Sequence, residues 1–183
     1  SISSCRSMGG VVILFRVQRS MSRSRNGKVS VNPFFVIVGK RIVKNHNRVA
    51  MRVIMEAHDG VRIVGTYREV SEAKGYALLL HMMPATKESW ASLQEKLAGV
   101  GIASLAIDLR GHGESLETED GAKLDYRLFG DKEHQASALD IKAALAWLSE
   151  QGAVKSRVVL GGASIGANLA LQALATDAEL SAA

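Results

Sequence analysis

The hydrophobic pattern divides the chain near residue 51. Beyond that point apolar positions fall into short runs and stripes, separated by clear turn signals. Residues 51–56 and 61–68 are β-type runs joined through His58-Asp59-Gly60. Asp-Gly is a strong hairpin signal, because glycine supplies the positive φ that the turn needs. Residues 69–75 are polar and loop-like, and Tyr76 to Leu80 is a continuous apolar run, as expected of a strand covered on both faces. Residues 88–98 place Trp90, Leu93 and Leu97 on one side of a helix, which Gly99 and Gly101 close. Residues 102–107 predict a second buried strand and 116–131 a polar loop. Residues 133–151 form a long helix with Ala138, Ile141, Leu145 and Leu148 spaced for burial. One more strand is predicted over 157–160. A glycine pair follows it, and then a helix of small residues through Leu174. A hairpin followed by alternating strands and helices predicts an α/β fold, a mostly parallel sheet with helices on both faces. Residues 51–183 contain no internal repeat and no low-complexity stretch.

Charge sharpens the division at residue 51. The net charge of +5 is misleading as a whole: residues 1–50 hold ten Lys or Arg and no Asp or Glu, while residues 51–183 hold thirteen against eighteen. The body is acidic, so nothing in it asks for nucleic acid as a partner. The apolar pieces of residues 1–50, at 11–15 and 34–38, are far too short to span a bilayer. We read this stretch as a basic leader, disordered or not native coding sequence, with folding beginning near Met51. Its Arg- and Ser-rich, acid-free composition also suits an organellar targeting segment, and residues 16–28 suit a basic arm. Cys5 is the single cysteine, so there is no disulfide framework and a reducing, cytoplasmic setting is the default.

The candidate chemistry lies in Gly162-Ala163-Ser164-Ile165-Gly166, a G-x-S-x-G pattern between a predicted strand and a predicted helix. Such a turn is strained and crowded. Small residues two before and two after the serine, Gly162 and Gly166, let strand and helix approach each other. The helix aims its first N–H groups and its positive dipole end at whatever lies over Ser164 Oγ, which suits a nucleophile whose attack creates an oxyanion. The simpler alternative is a serine that only caps the helix.

Residues 51–183 resemble the first half of an α/β-hydrolase. Three stretches carry the likeness in the family's order. They are Leu80-His81-Met82-Met83-Pro84 at the oxyanion loop, Asp108-Leu109-Arg110-Gly111-His112-Gly113-Glu114-Ser115, close to the D-x-R-G-H-G-x-S element of esterases, lipases and serine-aminopeptidase-like members, and the turn at Ser164. The resemblance implies serine-based acyl transfer on a small-molecule acyl substrate, an ester by default, without metal or organic cofactor. Ser164 is the implied nucleophile, and the backbone N–H groups of Ile165 and Met83 the implied oxyanion donors. Met82 stands where the family usually has glycine, so the loop must do without positive φ there. The family places its acid and histidine after the nucleophile, but no histidine follows Ser164. His81 is expected to pack beneath the oxyanion loop, His112 to shape the turn after its strand, and Asp108 to accept nearby backbone N–H groups. Asp177 and Glu179 are not where the triad acid belongs, and Glu117, Glu119 and Asp120 read as a solvated loop, not a metal site. The expectation is a fragment that ends after the nucleophile helix, roughly a hundred residues short of a complete domain, and inactive by itself.

Two other classes compete. Gly161 to Gly166 superficially suggests the phosphate loop of a dinucleotide-binding oxidoreductase, but that loop normally follows the first strand of its unit. A non-catalytic binding domain of the same fold would keep the layout and leave Ser164 idle. The layout also suits dienelactone hydrolases, which typically carry cysteine at this turn.

Overall fold

The computed structural model describes residues 11–12 and 50–181. Ala50–Glu56 (β2) and Arg62–Arg68 (β3) form the expected antiparallel hairpin, with Ile54 opposite Val64. Gly60 takes φ 77° at its turn, where its N–H donates to Ala57 O over 2.8 Å. Gly75–Leu80 (β4), Ile102–Ile107 (β5) and Val158–Ala163 (β6) run parallel, and β3 joins β5 antiparallel. Val11–Val12 (β1) pairs antiparallel with Ala163 and Gly162, giving the order β1-β6-β4-β5-β3-β2. Apart from these two valines and Ala50, which begins β2, the stretch read as a leader lies outside the described residues.

The apolar runs of β4 and β5 are continuous because both faces of the sheet are covered. Leu78, Leu80, Leu105, Ile107 and Leu160 point to the face that carries Asp131–Glu150 (α2) and Ile165–Thr176 (α3). Ala77, Leu79 and Ala106 point to the other, under Trp90 and the helix Ala91–Gly99 (α1), with Leu93 and Leu97 packed beside them. Each fully buried leucine or isoleucine contributes about 1.5–3 kcal/mol. A short helix, Ala178–Ser181 (α4), follows α3, and the side chain of Asp177 accepts the N–H of Glu179 over 3.0 Å.

Three elements differ from the sequence reading. Lys87–Trp90 is a 3-10 turn and α1 begins only at Ala91. The long helix starts at Asp131, where Glu133 reaches back to accept the Gly130 N–H over 2.9 Å. β6 runs on through Gly161 and Gly162 to Ala163 instead of ending at Leu160. Pairing with β4 continues through both glycines, and the space there is short: a Cβ on Gly161 would lie 2.9 Å from a Leu79 methyl.

Arg110 ties three of these parts together. Its N–H and Nε donate to the Asp140 carboxylate of α2, each over 2.9 Å, and its Nη1 donates to Asp59 of the hairpin turn over 2.6 Å. Arg110 and Asp140 are both buried.

Candidate active site

The parallel register lines up Ile107, Leu80 and Gly162 at the carboxyl ends of β5, β4 and β6. His81, Asp108 and Ser164 follow within two residues, so the three sequence landmarks emerge at one end of the sheet, where open α/β folds place their ligands.

Ser164 sits between β6 and α3 with φ 50° and ψ −117°, and its side chain is exposed. A non-glycine residue there costs on the order of 1–3 kcal/mol and persists only where its surroundings enforce it. Gly162 and Gly166 are the enforcement. A Cβ on Gly162 would lie 2.3 Å from the Gly166 carbonyl, and a Cβ on Gly166 would lie 2.3 Å from Leu80 O and 2.7 Å from His81 O. The helix start, the end of β6 and the end of β4 are thus pressed backbone against backbone. Ser164 occupies the N-cap position, yet its hydroxyl makes no capping bond, while its carbonyl accepts the N–H of Ala167 over 2.9 Å. A capping role leaves this hydroxyl without its bond. Ile165 is the first residue of α3.

The loop after β4 carries Met82, half-buried and packed against the cluster that contains Leu79 and Trp90, and Met83, 38% exposed, ahead of Pro84. Among the described residues the only non-glycine positions with positive φ are Glu72 and Ser164, so Met82 does without the glycine conformation. His81 is buried beneath this loop. Its Nε2 accepts the Leu109 N–H over 3.0 Å, which leaves Nδ1–H to donate to Met82 O over 2.9 Å. Both nitrogens of a neutral ring are thereby used. The His112 ring stacks on Tyr126 at 4.0 Å, and its Nδ1 lies 3.0 Å from Arg110 O. Burial holds both histidines below their ordinary range, outweighing the backbone bonds that favour the charged ring.

Asp108 is fully buried and binds backbone N–H groups at both ends of its reach, Lys87 over 2.7 Å and Glu114 over 2.9 Å. Gly113 lies against this carboxylate, where a Cβ would come within 2.2 Å of Oδ2. Ser115 completes the knot, its hydroxyl donating to Asp108 O over 2.8 Å and accepting the Val64 N–H over 2.9 Å.

The site residue that sequence reasoning missed is Lys87. It is 3% exposed, and its ammonium donates over 2.7 Å to both Asp108 and Glu114 and lies 2.9 Å from Glu88. Burial by itself lowers a lysine pKa, but these carboxylates outweigh it and raise the value. A lysine in a polar turn carries no local signal of this, because two of its three carboxylate partners lie 21 and 27 residues away. Gln94 escaped notice similarly: it is buried on α1 and donates to the carbonyls of Thr66 and Ser104.

In the 116–131 loop Glu117 pairs with Lys123 and Thr118 bonds Asp120. Among the described residues no three His, Cys, Asp or Glu side chains converge as a metal site would require. Asp177 and Glu179 both pair with Lys155, at 2.9 and 3.0 Å. A cavity of about 340 Å³ opens between Pro84, His112, Leu116, Leu124, Tyr126 and Arg127, and Ser164 does not line it. No described helix is long and apolar enough to cross a membrane.

The chain is similar to several solved hydrolases. The esterase Pf2001 of Pyrococcus furiosus is 26% identical, with a TM-score of 0.58 over 76% of this chain and 54% of that one. The alpha/beta hydrolase GrgF from Penicillium sp. sh18 is 21% identical, with a TM-score of 0.62 over 72% of this chain and 43% of its own. The esterase EaEST of Exiguobacterium antarcticum is 21% identical, with a TM-score of 0.53 over 69% and 40%. The chain thus spans about half the length of the first of these and less of the others. No curated protein matches it. The sequence profile described as "Alpha/beta hydrolase family" matches residues 77–183, from β4 through the turn at Ser164 and on to the last residue. The chain belongs to the alpha/beta hydrolase family.

Proposed function

We propose that this hydrolase acts by acyl transfer on carboxylic esters of small molecules, with Ser164 as nucleophile and the backbone N–H groups of Met83 and Ile165 as oxyanion donors. Ser164 Oγ attacks the ester carbonyl carbon, and its proton passes to the alkoxide oxygen that departs as the alcohol. The carbonyl oxygen takes the negative charge, and collapse breaks the acyl–oxygen bond, releasing the alcohol and leaving an acyl-serine that water cleaves. Each preorganised donor contributes on the order of 3 kcal/mol to such a barrier. The observation that carries the reading is the exposed, uncapped hydroxyl of Ser164 held at φ 50° by glycine contacts on both sides. The likeness to the P. furiosus esterase supports the choice of ester over other acyl bonds. His81 is not available as the base, since both of its ring nitrogens are already engaged.

A fluorophosphonate probe applied to the full-length protein tests the proposal. Labelling is expected on the peptide that contains Ser164 and is expected to vanish in Ser164→Ala. Equal labelling of the two proteins, or none of the folded wild type, overturns it.

A further inference from the structure

The loop that carries Met83 is held at both ends by groups of the β5 terminus. At its start the His81 ring bridges the Leu109 N–H and the Met82 carbonyl. At its end Lys87 meets Asp108 twice, backbone N–H to Oδ1 and ammonium to Oδ2, each over 2.7 Å. The ammonium also donates to Glu114, whose own N–H is bound by Asp108, so four bonds link Lys87, Asp108 and Glu114 in a closed set. Asp108 is fully buried, with Gly113 packed so close to its carboxylate that a Cβ there would lie 2.2 Å from Oδ2. Lys87 is buried too, an unusual place for a lysine whose only task is solubility.

From this geometry we infer that Lys87 is a positioning residue: its ammonium, locked on Asp108, fixes the 82–86 segment and with it the Met83 N–H against the turn at Ser164. The inference rests on the nucleophile and oxyanion roles proposed above. An anchor of this kind acts on the transition state, because an oxyanion donor displaced by a fraction of an ångström still admits substrate but no longer meets the developing charge.

The test uses the full-length protein with Lys87→Met, which removes the donor at nearly equal length, and Lys87→Gln, which keeps a neutral donor and makes a milder change to the fold. Both are measured on an ester substrate at a temperature where near-ultraviolet circular dichroism shows native packing. The expected result is a graded fall in kcat, about 100-fold for Lys87→Met and less for Lys87→Gln, with KM held within about threefold. Amide exchange at residues 82–87 is expected to quicken while that of β4 stays slow. Should Lys87→Met not fold, Lys87→Gln decides by the same split. Wild-type kcat in a folded variant overturns the positioning role, as does a loss that only tracks the unfolded fraction. Fluorophosphonate labelling of Ser164 is scored in the same samples. Persistent labelling in Ser164→Ala would sink the underlying reading, whereas Ser164-dependent labelling with unchanged kcat in the lysine variants would sink only this one.

Discussion

Ser164 stores conformational strain that a glycine would not. Replacing it by glycine removes the Cβ from a backbone at φ 50°, ψ −117°. Ser164→Gly is therefore expected to raise stability by about 1 kcal/mol, read as a higher denaturant midpoint at unchanged m. A lower midpoint would show that the backbone is relaxed as it stands. Gly166→Ala makes the opposite prediction, since its Cβ would lie 2.3 Å from the Leu80 carbonyl. A loss of about 1–3 kcal/mol or more is expected in the same measurement. Both glycines were legible from their spacing around the serine, and Asp108 from its place at a strand end. The partners of Lys87, Arg110 and Gln94 were not. Each bonds a group far off in sequence, and nothing in the local pattern tells a buried polar side chain from a solvated one.

Arg110 joins β5, α2 and the hairpin turn, and its two carboxylates are not equivalent. Asp140 is fully buried, whereas Asp59 is partly open to water. Asp140→Ala leaves the guanidinium buried beside a void and is expected to cost about 3–5 kcal/mol in thermal or denaturant unfolding. Arg52→Ala breaks an exposed pair with Glu114, and its expected cost is below about 1 kcal/mol. The lysine clamp sets a pH limit of its own. Its folded pKa lies above the ordinary 10.5 that the unfolded chain keeps. The stabilisation is therefore complete below that value and is lost as pH rises toward the folded pKa. Unfolding midpoints measured from about pH 8 to 11.5 should be level and then fall in the wild type, with a weaker fall in Lys87→Met. At this scale each strand and α-helix of the 51–183 body up to α3 was legible from the apolar pattern. It misplaced their ends where bonding beyond the local pattern decided them, at the 3-10 turn before α1 and along the glycines of β6.

The molecule is a sheet with helices on both faces, and its layering followed from the uninterrupted apolar runs of β4 and β5. The short β1 strand was not legible, since two valines within a basic stretch carry no register. β2 is paired to β3 along one side, and Ile54 on it is 55% exposed. Ile54→Lys should change stability by no more than about 0.5 kcal/mol and lower any tendency to associate, as light scattering would show. The two tryptophans of the chain stand on opposite faces of this sheet. Trp90 lies under α1, and Trp147 on α2 meets Tyr67 edge-on at 4.9 Å. Nature has thus placed one fluorophore in each layer. Single Trp→Phe variants turn ordinary emission spectroscopy into two separate witnesses, one for the helix that follows the Met83 loop and one for the layer that backs the turn at Ser164, so that loosening of either can be timed without touching that turn.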